Sequence, residues 1–305
     1  MRAQTKCVVA RLRVLLIAVV SLGAAAQAGS GKLNWMLRIN ETRGPVRTAD
    51  VSTLSGKTAV SEVLGGPTNG SDNAYLIYTR MPPGAHGPSL FTLPVEDDYV
   101  VLSGKMTVQI GTEKFVAGPF TGVVIPANIP HEVWNADADA EAHLEVISSA
   151  NPGQDLSRNL MSMLKPAQPT KVANASQYIR EINVPAASNL KQGLNGQTYT
   201  QRAKGSPFQM RIDSTLPGSG GPKPHVHRFE QVYFEVEGET TVTYGLDDYQ
   251  LKKNDIAIIQ PGVVHTNKNQ TSGIERHIVL LLPEPESGPF DIEFERKGAV
   301  GATRP

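Results

Sequence analysis

Short runs in which apolar and polar side chains alternate dominate this chain. Tyr99-Val100-Val101-Leu102, Met106 to Ile110, Val232 to Val236 and Thr240 to Tyr244 are rich in Val, Ile, Tyr and Thr, with Gly or Pro punctuation between such runs. Branched and aromatic side chains suit a pleated, half-buried surface, so each run predicts a strand of about five residues that ends in a turn. Helical periodicity is confined to the N-terminal segment and to Asp155 to Leu164. The pattern predicts an all-β protein.

The pattern also repeats. Sliding the chain by 134 positions superposes Pro83-Gly84 on Pro217-Gly218, Gly87-Pro88 on Gly221-Pro222, Gly104 on Gly238 and Gly111 on Gly245. It also superposes His131 on His265, Asn135 on Asn269 and His143 on His277, with no gap between the first pair and the last. A repeat of this length predicts two similar β domains. The predicted organisation is a leader over 1–28, an N-terminal domain over 29–150, a Pro/Ala/Ser-containing linker over 151–174 and a C-terminal domain over 175–305.

The 305 residues suffice for two domains with one core each. The 29 basic and 29 acidic side chains cancel, so no charge footprint for nucleic acid or an anionic membrane exists, and a small-molecule partner is expected. Arg2, Lys6, Arg11 and Arg13, an apolar run from Val14 to Leu22 and Ala26-Gln27-Ala28 make a secretory signal with cleavage after Ala28. The apolar run is too short for a comfortable membrane span of about 20 residues, so no stable anchor is expected after cleavage. The expected destination is secreted or periplasmic. Cys7, the single cysteine, lies inside the signal, which leaves the mature chain without a thiol nucleophile or disulfide. Asn40-Glu41-Thr42, Asn69-Gly70-Ser71, Asn174-Ala175-Ser176 and Asn269-Gln270-Thr271 match the N-glycosylation pattern.

Candidate chemistry concentrates in the C-terminal half. In Pro224-His225-Val226-His227 the two histidines are two apart, and on a strand that spacing presents both imidazoles to one face. A third, His265, arrives from a distant strand and can close a set around one ion. Continuing the alternation puts Gln231, Tyr233 and Glu235 on the same inward side and Glu230 on the other. No G-x-S-x-G elbow appears, and Gly218-Ser219-Gly220-Gly221 leads into a strand and not a helix, which excludes a serine-hydrolase elbow and a phosphate loop.

These residues resemble the two motifs of the cupin superfamily. The first runs from His225-Val226-His227 through Gln231 to Gly238, the second from Asn254-Asp255 through Pro261-Gly262 and His265 to Asn269. The resemblance is to two-domain cupins, and within them to the quercetin 2,3-dioxygenase-like group. It implies tandem cupin barrels and one divalent transition metal (Fe, Mn, Ni, Cu or Zn) held by His225, His227, Gln231 and His265. Gln231 stands where the family has a ligating glutamate, so the ion keeps one negative charge fewer and a more open fourth position. The resemblance further implies a dioxygenase that uses O2 on an aromatic or enolic small molecule. Two alternatives are a non-redox lyase, decarboxylase or isomerase, and a non-catalytic ligand-binding or storage-type cupin. Glu235 is a candidate general base and Tyr233 a candidate site residue on the same cavity. Cupin barrels often associate through exposed strands, so a homo-oligomer is a candidate assembly.

The N-terminal half departs from this pattern. The same offset places Phe91 opposite His225, Leu93 opposite His227, Asp97 opposite Gln231 and His131 opposite His265. Two imidazoles are replaced by apolar side chains, which predicts a barrel filled with core and serving as scaffold or partner surface. A residual ion site built from Asp97, His131 and His86 is the alternative.

Overall fold

The computed structural model describes residues 46–48, 52, 54–67, 70–148, 160–245 and 247–293. The predicted signal and the first two glycosylation acceptors, Asn40 and Asn69, lie outside them. Short strands account for nearly all the regular structure, and the helical pattern over 155–164 appears as one turn, Leu160–Met163, among the residues described there. No helix among the described residues is long and apolar enough to cross a membrane.

Two sandwich-like barrels of the same topology form. In the N-terminal barrel a six-stranded sheet runs Ile179–Arg180, Gly122–Ile125, Glu96–Ser103, Glu141–Ser148, Ala74–Met81 and Val60–Gly65. It faces a five-stranded sheet ordered Lys165–Pro166, Phe91–Thr92, His131–Trp134, Met106–Ile110 and Glu113–Ala117. The C-terminal barrel repeats the plan with Val46–Arg47, Asp255–Ile259, Glu230–Glu237, Glu275–Leu282, Gln209–Thr215 and Leu194–Thr200 in the larger sheet. Its smaller sheet is Asp247–Lys252, Glu239–Tyr244, His265–Lys268, His225–Val226 and Ile292–Glu293. Gly104 and Gly238 mark the matching turn: both have positive φ, and a Cβ would meet a backbone carbonyl oxygen at 2.5 and 2.3 Å. Only glycine fits both the conformation and the space.

The barrels exchange their outermost strands. Val46–Arg47, at the start of the first repeat, pairs with Asp255 and Ile256 of the C-terminal barrel, and Ile179–Arg180 pairs with Gly122 and Val123 of the N-terminal barrel. The segment read as a linker is likewise part of the N-terminal barrel: Lys165–Pro166 extends its smaller sheet, and Ala175, expected to open the C-terminal domain, is fully buried in its core. Of the remaining acceptors, Asn174 is exposed, whereas Asn269 is buried and donates to Thr215 O and Gly273 O, which denies it to a glycan.

The larger sheets are buried on both faces, which explains apolar runs with no polar side. One face of each lines its own barrel; the other packs against the opposite barrel, where Leu76, Tyr78, Leu144 and Val146 meet Met210, Val232, Phe234 and Leu280 in one cluster. The alternation along Glu230–Glu237 follows from this. Val232 and Phe234 enter the inter-barrel core, while Gln231 and Tyr233 turn into the lumen.

Two buried carboxyls clasp the barrels reciprocally. Glu230 accepts hydrogen bonds from Ser71 Oγ and from the Asp72 N–H, and Glu96, its equivalent, accepts from Ser206 Oγ. Burial pushes both carboxyls up to about 7, with the serine donors opposing it. The ordinary value, which the unfolded chain keeps, is near 4.3. The folded protein therefore holds protons that the unfolded chain releases, and stability is expected to fall as pH rises from about 4.5 through about 7. Urea unfolding at pH 5 and pH 8 measures this, and Glu230→Gln is expected to flatten the decline.

Candidate metal centre

His225 lies at the end of a two-residue strand and pairs directly with His265 across the smaller sheet. His227 follows in the loop, and Gln231 enters from the adjoining large sheet. All four are buried. His227 Nε2 and His265 Nε2 lie 2.7 and 2.6 Å from Gln231 Oε1, and His225 Nε2 lies 3.1 Å from His227 Nε2.

The opposite ring nitrogens fix the tautomers. Nδ1 of His225 meets Lys223 O at 2.7 Å, that of His227 meets Phe290 O at 2.8 Å and that of His265 meets Val263 O at 2.9 Å. A carbonyl oxygen only accepts, so each Nδ1 carries the proton and each Nε2 presents a lone pair to the centre. Burial lowers His227 and holds His265 down to about 3, which keeps those two rings in the neutral, ligating form. Gln231 is oriented in turn: its Nε2 donates to Tyr233 Oη at 3.1 Å, turning Oε1 inward. Four acceptors thus converge without a donor among them, and the ligand nitrogens of the three histidines all lie within 4.8 Å of one another. The donor set fits a divalent transition metal.

Because Tyr233 holds the amide and does not itself face the convergence, it is a positioning residue. Tyr233→Phe is expected to weaken metal affinity ~10–100-fold, the usual cost of losing an outer partner, with the fold retained. Competition against a chelator of known affinity measures it.

A small polar pocket of about 100 Å³ opens beside the centre, lined in part by Arg211, Asp213, Tyr233, His277, Phe290 and Asp291. Arg211 Nε donates to Asp213 at 2.9 Å, and Asp213 lies 4.0 Å from His277 Nε2. Burial lowers the pKa of His277, but the Glu275 and Asp213 carboxylates outweigh it and raise the value above ordinary. Asp291 Oδ1 is 3.5 Å from His227 Nδ1.

Tyr233 lines this pocket as expected, and Glu235 does not. Glu235 is fully buried one step farther along the strand, clustered with Glu275 and with His277 of the pocket wall. Burial, then the neighbouring Glu275, raises its pKa well above the carboxylate range. Its expected place on the substrate cavity is therefore corrected: the strand alternation holds, but Glu235 is not among the residues that line the pocket, while its neighbour His277 borders both. Arg211, Asp213, Phe290 and Asp291 carried no sequence motif. Glu275 did, because Glu141-Ala142-His143 and Glu275-Arg276-His277 recur at the 134-residue offset and each pair is bonded through the histidine Nδ1.

The N-terminal barrel converts the equivalent centre into a hydrogen bond. His131 Nε2 lies 2.9 Å from Asp97 Oδ2, and the Phe91 ring stands 4.4 Å from the His131 ring in the place of His225. His86 stacks on Trp134 at 5.8 Å, so the alternative ion site of Asp97, His131 and His86 does not assemble.

Comparison with known proteins agrees with this architecture. The cupin domain family matches residues 77–148 and again 213–280. No curated protein sequence matches the chain. Among solved structures, a Cupin 2 conserved barrel domain protein from Leptotrichia buccalis is 12% identical and covers 79% of this chain and 97% of its own, with TM-score 0.53. Coconut allergen cocosin is 9% identical over 79% of this chain and 85% of its own, with TM-score 0.60. Salicylate 1,2-dioxygenase from Pseudoaminobacter salicylatoxidans, solved with gentisate adducts, is 11% identical over 73% of each chain, with TM-score 0.53. At these identities the likeness is one of fold. With one family match in each half and the barrel built twice, the chain is a two-domain cupin.

Proposed function

We propose that this protein is an exported, metal-dependent enzyme whose chemistry sits in the C-terminal barrel, and that it is a dioxygenase acting on an aromatic or enolic small molecule. The observation that carries the metal-dependent part is the convergence of three Nε2 lone pairs and Gln231 Oε1. A divalent ion held there supplies Lewis acidity toward an enolate or phenolate oxygen and a place for O2.

The chain's own residues do the rest. The pocket of about 100 Å³ is too small for a bulky substrate and receives a compact one or the reacting end of a larger one. Arg211, oriented through Nε by its ion pair with Asp213, offers guanidinium N–H donors at the pocket wall. His277 lines the same space, and the Glu275 and Asp213 carboxylates favour its charged form. Export is supported by the basic start, apolar run and small-residue site of residues 1–28.

The polarity of the pocket favours a second reading, a lyase, decarboxylase or isomerase for a small polar substrate that uses the metal only as an electrophile. Turnover of catechols, diketones and flavonols by metal-loaded protein, with and without oxygen, separates the two. Oxygen uptake matched to substrate loss supports the dioxygenase, and equal anaerobic rates support the second reading. No turnover under either condition supports a binding cupin.

A further inference from the structure

The N-terminal barrel has lost the imidazoles of its partner, yet the core side chains among the described residues do not fill it. Between its sheets lies a cavity of about 580 Å³, well within the ~300–1,000 Å³ of sites that enclose a small organic ligand. Phe91 and Leu93, expected as filler, are wall, together with Ile77, Met81, Val133 and Ile147.

Against this apolar wall stand Tyr99, His143 and Glu145, with the hydroxyls of Ser61 and Thr79, bonded to each other at 2.8 Å, beside them. Tyr99 Oη donates to Asp97 Oδ2 at 2.8 Å and lies 3.4 Å from Glu145 Oε1. His143 Nδ1 is bound to Glu141 Oε1 at 2.8 Å, which leaves Nε2 for another partner. Glu145 is not inherited from the repeat: its equivalent is Val279, a fully buried core residue. Tyr99 Oη, already donating to Asp97 at 2.8 Å, reaches Glu145 only at 3.4 Å, so a carboxyl placed where the sister barrel has valine keeps capacity for a further hydrogen bond toward the cavity, which points to a ligand.

We infer that the N-terminal barrel is a second, metal-independent binding site for an uncharged, mainly apolar small molecule whose hydroxyl group meets Glu145 and His143. The wall settles the class. Among its described residues there is no Lys or Arg, so an anion would find no counter-charge from them, and its apolar area would strip water from a sugar or polyol without replacing it. Burial and the Asp97 carboxylate raise the pKa of Glu145 well above the carboxylate range, toward a neutral donor and away from pairing with a cation. A hydroxyl suits the two groups at once, accepting from the Glu145 acid and donating to His143 Nε2. This site stands independently of the oxygen chemistry proposed for the other barrel.

The test is calorimetric titration of the full chain, stripped of metal by chelation, with 2-naphthol, naphthalene and 2-naphthalenesulfonate. One 2-naphthol per chain is expected, with naphthalene about tenfold weaker for want of the hydrogen bond and no binding of the sulfonate. Leu93→Trp, which fills the cavity, is expected to abolish binding while the C-terminal barrel still takes up metal. Glu145→Val is expected to reduce 2-naphthol to the affinity of naphthalene, and it decides the matter if Leu93→Trp fails to fold. Absence of 2-naphthol binding, binding of the sulfonate as tightly as the naphthol, or unchanged binding in Glu145→Val would overturn the inference.

Discussion

His227→Ala is expected to reduce bound transition metal from about one ion per chain to near zero, and any metal-dependent turnover with it. His227 Nε2 is the hub of the centre, 3.1 Å from His225 Nε2 and 2.7 Å from Gln231 Oε1. Removing it leaves two imidazoles and a neutral amide, none of which carries a negative charge to hold a dication. The loss should exceed the ~10–100-fold expected for the outer partner Tyr233. The fold should survive, because the imidazole contributes one hydrogen bond, to Phe290 O, and a stacking contact with Phe229 at 4.5 Å. Those contacts amount to about 1–2 kcal/mol. His86→Ala, in the opposite barrel, is the control and should leave metal content unchanged. Metal analysis beside circular dichroism reads both outcomes.

The second large effect concerns stability. Phe234 is fully buried and faces away from its own lumen, into the cluster shared by the two barrels, with its ring 6.0 Å from that of Tyr78. Phe234→Ala removes a whole aromatic side chain from a site walled by two sheets that cannot collapse independently, and is expected to cost about 3–5 kcal/mol. Because the cluster is common, the loss should appear in both barrels together. Trp134, in the N-terminal barrel, reports on a structure whose mutated residue lies in the other. Its fluorescence, read in a Trp35→Phe background, should show a lowered unfolding midpoint that coincides with the far-ultraviolet transition. A Trp134 transition unmoved by Phe234→Ala would mean that the barrels unfold separately.

Much of this was legible because the repeat is rigid. The 134-residue offset fixed the two-barrel plan, and the period-2 spacing of His225, His227, Gln231 and Tyr233 placed four side chains in one lumen before any fold was known. The strand exchange was not legible, since Val46–Arg47 and Ile179–Arg180 are two residues each and carry no pattern of their own. Alternation gives the direction of Glu235 and not its depth in the lumen. Phe91 and Leu93 are apolar, and apolar composition does not distinguish packed interior from the wall of a cavity. The pocket around Arg211, Asp213 and Asp291 is assembled across strands far apart in the chain, so no local spacing announced it.

The central claim is that the C-terminal barrel holds one transition metal on His225, His227 and His265 with Gln231. Elemental analysis of the purified full chain tests it most directly, after equilibration in turn with Fe(II), Mn(II), Ni(II), Cu(II) and Zn(II) and dialysis. About one ion per chain is expected with at least one of these metals, lost in His227→Ala and kept in His86→Ala. A wild-type chain that is folded and retains none of the five, or a His227→Ala chain that retains as much as wild type, would contradict it.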